Sequence, residues 1–222
     1  MNTVISDEMI GLVSEKGIFG VLEIEDLEDA VPVAETLLDN GVSAIELALR
    51  TNAAVPAIRE IHRVFPEMFI TAGTVIFPDQ IQDVIDAGAS MAVAPGFNPG
   101  VVEKAIELKL PFAPGISTAS EVEAAYAMGC RLLKLFPAEP LGGIRYMKSM
   151  MGPYSYLGMK LFPLGGLNED NLASWASEPN VVALGGSWIA SKGLIREKDF
   201  KEIGRRAKKA SACWKKVKEE TR

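Results

Sequence analysis

Short apolar runs alternate with longer amphipathic stretches along the whole chain. The apolar runs cover residues 17–24, 44–49, 68–75, 91–94, 111–116, 132–136, 160–164 and 181–184. Each has the length of a strand, so eight strands are expected. Between them the apolar positions fall at helical spacing, as in Leu27, Val31, Ala34 and Leu38. Helix stops recur just before strands, at Asn40-Gly41, Ala87-Gly88 and Met128-Gly129. Glycine there tolerates the left-handed backbone that ends a helix. Thr118 and Glu121 have the spacing of a capping box. Asn168 precedes Glu169 and Asp170, which favour the positive end of a helix dipole, so a helix start is expected there too. A short helix over residues 7–14 precedes the first strand.

Strand followed by helix, eight times in 222 residues, is the pattern of a (β/α)8 TIM barrel, here with an extra N-terminal helix. A doubly wound α/β sheet gives similar alternation, but no Gly-x-Gly-x-x-Gly follows the first strand. No linker or low-complexity segment interrupts the pattern, so residues 1–222 are expected to form one domain.

Composition narrows the chemistry. The net charge is −6, which favours neither nucleic acid nor an acidic membrane surface. The basic stretch 205–222 is interleaved with Glu219 and Glu220 and reads as a solvated terminal helix. Cys130 and Cys213 are far apart, in neither a disulfide framework nor a metal-ligand spacing. A reducing compartment follows most simply. No signal peptide or bilayer-spanning run is visible, so a cytoplasmic protein is expected. His62 is the only histidine and lies in a polar-rich helical stretch. A surface histidine argues against a Ser-His-Asp triad and against an imidazole-ligated metal. No metal and no cofactor are expected.

Lys134 stands out within the apolar run 132–136. Strand parity puts Leu132, Lys134 and Phe136 on one face. Burying an ammonium disfavours its charged form, and a neutral amine is what a nucleophilic lysine offers a carbonyl. The plain alternative is an ammonium reaching water at a strand end. In the second run, alternation places Ala44, Glu46, Ala48 and Arg50 on one side, a poor hydrophobic layer but a workable pocket wall. A structural ion pair between Glu46 and Arg50 is the competing reading. In a parallel barrel, functional groups collect at the carboxyl ends of strands, where the polar and glycine-rich residues of this chain fall.

The segments Glu46-Leu47-Ala48-Leu49-Arg50-Thr51, Ala72-Gly73-Thr74, Ala94-Pro95-Gly96, Pro114-Gly115-Ile116-Ser117-Thr118, Lys134-Leu135-Phe136-Pro137-Ala138-Glu139, Pro163-Leu164-Gly165-Gly166 and Gly185-Gly186-Ser187-Trp188 occur in that order. Together they resemble the 2-keto-3-deoxy-6-phosphogluconate (KDPG) aldolase family, which includes the 4-hydroxy-2-oxoglutarate (KHG) aldolases. The resemblance runs from about Gly17 to Ile189. It implies a metal-independent class I aldolase on a (β/α)8 barrel, a homotrimer, acting on a small 2-oxo acid. By the same resemblance, Lys134 forms the Schiff base and Glu46 shuttles protons. Arg50 and Thr74 hold the 2-oxo acid end, and Pro95 and Phe136 line the pocket. Gly165, Gly166, Gly186 and Ser187 hold the far end, usually a phosphate.

Two positions depart from the family pattern. Leu164 stands where enzymes acting on KDPG commonly carry threonine; relatives acting on the galactonate epimer have an apolar residue. Glu23 stands where some relatives have a basic or neutral residue, and in the barrel mouth it would repel a phosphate; a solvated carboxylate at the strand end is the expectation. The lead substrate is KDPG, with KHG and the phosphogalactonate epimer as alternatives. A sugar-phosphate isomerase or a non-catalytic phosphate-binding barrel is the alternative of another class. Trp175 and Trp214 are expected to pack helices, Trp188 to pack the last strand–helix turn, and Met147, Met150 and Met151 to fill core space or a subunit contact.

Overall fold

The apolar runs become nine short parallel strands in the computed structural model, which describes residues 4–221. Met1–Thr3 and Arg222, the last residue of the basic tail, lie outside them. The strands are β1 (Ile18–Leu22), β2 (Ala44–Ala48), β3 (Phe69–Gly73), β4 (Met91–Val93), β5 (Phe112–Ala113), β6 (Gly115–Ile116), β7 (Leu132–Leu135), β8 (Lys160–Pro163) and β9 (Leu184–Gly186). They form a six-stranded sheet, ordered β5-β4-β3-β2-β1-β9, and a three-stranded sheet, β6-β7-β8. The run 111–116 is thus two strands. Pro114, between them, has no N–H to give a ladder. The last strand also differs from expectation. It lies over Leu184–Gly186, while Val181 makes only a single bridge to Leu161. Apolar patterning misplaced it because Gly185 and Gly186 bring no side chains to the pattern.

Helices separate the strands: α1 (Asp7–Lys16), α2 (Ala30–Asp39), α3 (Ala54–Val64), α4 (Gln80–Asp86), α5 (Pro99–Glu107), α6 (Ala119–Ala127), α7 (Gly143–Met151), α8 (Leu172–Ala176), α9 (Lys192–Arg196) and α10 (Phe200–Glu220). Their buried faces follow the 3.6-residue period. In α3, Ala54, Ala57, Ile58 and Ile61 are buried, one stripe on the helix. The capping box of Thr118 and Glu121 opens α6. The start expected at Asn168 is displaced. Its Oδ1 accepts from the N–H groups of Asp170 and Asn171, making a turn, and α8 begins at Leu172. Glu169 pairs with Arg205 and Lys209 instead of capping.

Two apolar layers lie on the two faces of the strands. One packs strand residues such as Ile45, Leu47, Ile70, Leu133 and Leu135 against the helices. The other gathers Phe19, Ala44, Phe69, Met91, Val93, Ala113, Leu132, Phe162 and Leu164, with Met9, Ile10 and Val13 of α1 packed on them. The strand alternation that splits Ile45 and Leu47 from Ala44 and Glu46 is what the sequence predicted. Trp175, Trp214 and the three methionines are buried in the helix-side layer, and His62 is exposed. No described helix is long and apolar enough to cross a membrane.

Candidate active site

Lys134 and Glu46 meet on the same face as that second apolar layer. Lys134 is carried by β7 and Glu46 by β2, strands of different sheets. The amine Nζ lies 2.9 Å from Glu46 Oε1 and 3.2 Å from Oε2. Both side chains are almost wholly buried, 5% and 3% exposed. The Phe136 ring, two residues on and just past the end of β7, has its centroid 5.5 Å from the amine. The backbone holds Lys134 in register, with its N–H donating to Pro114 O at 2.9 Å.

Gly73 makes room for Glu46. A Cβ at Gly73 would lie 2.3 Å from Glu46 Oε1, 2.6 Å from Cγ and 2.7 Å from Cδ. The carboxylate occupies the space a side chain on β3 would take, which is how an acid fits among apolar neighbours.

The pair forms the floor of a cavity of about 330 Å³. Arg50, Phe136, Leu164, Gly165, Gly166, Gly186 and Ser187 line it. Thr74 and Pro95 do not. Thr74 follows β3 with φ 60°, a backbone turn that ends the strand's alternation. Pro95 is held against β6, where a Cβ on Gly115 would lie 2.2 Å from its carbonyl carbon. Two other concavities are larger, about 590 Å³ beside α1 and 450 Å³ against α10, but neither is lined by a buried charged residue.

The competing ion pair is corrected by the geometry: Glu46 pairs with Lys134, and Arg50 with Glu23 at 3.5 Å. Glu23 is also not a free, solvated carboxylate. It lines the cavity and accepts from Lys192 Nζ at 2.8 Å. Lys192 reaches Glu25 at 2.8 Å as well, and Arg196 grips Glu25 at 2.6 Å through Nε. The hydrogen bond from Lys192, with the nearby Arg50 charge, holds the Glu23 carboxyl below its usual range. Arg196 and then Lys192 hold Glu25 at about 2, and the two carboxylates raise Lys192.

Sequence reasoning missed Lys192, Ser191 and Leu167 in the cavity wall. The signal for Lys192 was its place just beyond the Gly185-Gly186-Ser187 turn, where an N-capping serine, Ser191, opens α9.

Chemically, this is an amine and a carboxylate in contact within a half-enclosed cavity. At one side stands a guanidinium suited to a carboxylate. Gly165, Gly166 and Gly186 also line the cavity, and without side chains they let a ligand approach the backbone closely. A buried ion pair adds little to stability compared with apolar residues of the same volume, so stability alone does not account for it.

Comparison with known proteins agrees with that chemistry. The family model for KDPG and KHG aldolase matches residues 9–206. The 2-dehydro-3-deoxy-phosphogluconate aldolase of Haemophilus influenzae is 36% identical over 200 residues, 90% of this chain and 93% of that protein. The KHG/KDPG aldolase of Escherichia coli (strain K12) is 36% identical over 190 residues, 86% of this chain and 88% of that one. Among solved structures, the KDPG aldolase of Legionella pneumophila, with pyruvate captured at low pH as a covalent carbinolamine intermediate, is similar with a TM-score of 0.85. The identity is 34%, over 90% of this chain and 96% of that chain.

Proposed function

The chain belongs to the KDPG and KHG aldolase family, and from that premise we propose that it cleaves a 2-keto-3-deoxy sugar acid through a Schiff base on Lys134. The observation that carries this reading is the buried contact of Lys134 with Glu46 at 2.9 Å in the cavity floor. Transfer of one proton across that contact leaves a neutral amine. Its lone pair attacks the C2 ketone and gives a carbinolamine. Glu46 returns the proton to the departing water, and an iminium ion remains. Glu46, now a carboxylate, takes the proton of the C4 hydroxyl. The C3–C4 bond breaks, its electron pair moves into the iminium, and an aldehyde leaves. Glu46 protonates C3 of the enamine, and water releases pyruvate. Acid–base help of this kind is worth roughly 10²–10⁴-fold.

Arg50 holds the substrate carboxylate, and the N–H groups about Gly165, Gly166, Gly186 and Ser187 receive the far end. With KDPG, the products are pyruvate and glyceraldehyde 3-phosphate. Thr74 and Pro95 lie outside the cavity wall, and their part in binding the 2-oxo acid rests on the family resemblance alone. An isomerase or a purely phosphate-binding role leaves the buried amine–carboxylate contact without a purpose. Incubation with pyruvate and borohydride is expected to leave one covalent adduct, located on Lys134 by peptide mass spectrometry. A label elsewhere, or none, contradicts the reading.

Leu164 supports a second substrate, the phosphogalactonate epimer. It is 3% exposed in the cavity wall and offers no hydroxyl. A missing polar partner can alter discrimination strongly. Leu164→Thr is expected to raise kcat/KM on the phosphogluconate relative to its epimer, about tenfold, in a coupled assay for pyruvate. An unchanged ratio removes Leu164 as a selectivity residue.

The same reading extends to architecture. The two sheets are arcs of one (β/α)8 barrel, a single domain over 1–222 closed at its base by α1. Three features support closure: the Leu161–Val181 bridge, the Gly115 N–H donating to Gly96 O at 3.1 Å, and the tilted ring contact of Phe19 with Phe162 of the other sheet, centroids 4.8 Å apart. A cytoplasmic homotrimer completes the proposal. Ile76 and Phe77, 39% and 61% exposed, are apolar positions such an assembly would cover.

A further inference from the structure

Three neighbouring strands lead into charged residues of the cavity wall. The sheet order β2-β1-β9 sets the end of β1 between the ends of the other two. Arg50 follows β2, Glu23 follows β1, and Lys192 opens α9 after β9. All three line the cavity, and the topology puts the acid between the two cations. Glu23 is not shared evenly. Its Oε1 accepts from Lys192 Nζ at 2.8 Å, whereas Oε2 stands 3.5 Å from Arg50 Nη1, beyond ordinary hydrogen-bond length. Lys192 is fixed from behind: it reaches Glu25 at 2.8 Å, and Arg196 grips Glu25 through Nε at 2.6 Å and Nη2 at 3.1 Å. Three cations thus face two carboxylates, and the guanidinium left without a hydrogen-bonded partner in this row is that of Arg50.

We propose that Lys192 is a positioning residue for substrate binding: by holding Glu23, it keeps the Arg50 guanidinium open to the carboxylate of the 2-oxo acid. The assignment rests on the aldolase reading, in which Arg50 takes that carboxylate. Glu23 and the substrate present the same group to Arg50, and a guanidinium fork suits either. Whichever carboxylate reaches the fork excludes the other. With Lys192 in place, Glu23 keeps a partner when substrate takes Arg50. Without Lys192, Arg50 is the one cation left to Glu23, and substrate has to displace an internal carboxylate and leave it unpaired. Glu25 and Arg196 act one step further back, by holding Lys192 over Glu23.

The test measures the pyruvate concentration that half-saturates borohydride trapping on Lys134. Pyruvate carries the carboxylate and the ketone alone, so it reads the Arg50 end without any contact at the far end of a longer substrate. Wild type is compared with Lys192→Met, Lys192→Arg, Glu23→Gln, and Lys192→Met combined with Glu23→Gln. Lys192→Met is expected to raise the half-saturating concentration about three- to fivefold, the upper range for a partly exposed ion pair, with the adduct still formed at saturating pyruvate. Added salt should shrink the difference. Lys192→Arg keeps the charge and is expected to stay within about twofold of wild type. The double variant is expected to return to the value of Glu23→Gln alone, because no competing carboxylate remains. A rise below about threefold in Lys192→Met overturns the assignment. So does a rise that persists in the double variant, which would mean that Lys192 acts on the ligand directly. Loss of the adduct in Lys192→Met at saturating pyruvate also overturns it, since Lys192 would then support Lys134. Wild-type protein that forms no adduct at any pyruvate concentration overturns the aldolase reading itself.

Discussion

Lys134→Met is expected to abolish pyruvate release and to destabilise the protein at once. Methionine fills much of the same volume, so the cavity floor stays packed, but no nucleophile remains. Loss of a covalent nucleophile costs on the order of 10⁴–10⁶-fold in kcat. The stability effect follows from burial. Glu46 is 2% exposed and loses its partner. Breaking a buried pair by removing one member costs about 3–5 kcal/mol, because the other charge is left uncompensated. Lys134→Met combined with Glu46→Gln removes both charges and is expected to regain most of that loss while remaining inactive. Denaturant unfolding and a pyruvate assay on the two variants separate the effects. Lys134→Met with pyruvate release within tenfold of wild type would exclude the Schiff base. Unchanged stability would place Glu46 in water in solution.

Much of this site was legible in the sequence because it lies on strands. A period of two fixes which residues share a face, so Lys134 with Phe136 and Glu46 with Ala48 could be placed together before any coordinates. A buried lysine among leucines is also costly enough to be noticed. Contacts made across the cavity were not legible. Glu46 could pair with Arg50 four residues away or with Lys134 eighty-eight residues away, and strand parity permits either. Glu23 read as a solvated end of strand because its partner, Lys192, comes 169 residues later on a short helix with little pattern of its own. Glycine runs hide in the same way: Gly185 and Gly186 form part of β9 yet contribute nothing to an apolar count, so the apolar pattern begins three residues before the strand. The break at Pro114 was readable in principle, since proline removes a ladder donor.

Gly73→Ala is expected to reduce kcat about 10²-fold, although it adds a single methyl group. The backbone of Gly73 lies outside the left-handed region, so alanine meets no conformational objection there. What it meets is Glu46, whose Oε1, Cγ and Cδ all lie within 2.7 Å of the new Cβ. No real Cβ tolerates such distances, and the carboxylate has to turn aside. Displacement of a catalytic group by about 1 Å is enough for a loss on the order of 10²-fold. The amine stays in place, so pyruvate trapping on Lys134 should persist, more slowly, while C–C cleavage suffers most. A double-mutant cycle with Glu46→Gln decides whether the route is the one described. If Gly73 matters only because it leaves space for a working carboxylate, Gly73→Ala adds little once Glu46 can no longer move protons. Losses that simply add would mean that Gly73 acts through another contact, since residues sharing one mechanism are non-additive and independent ones are not.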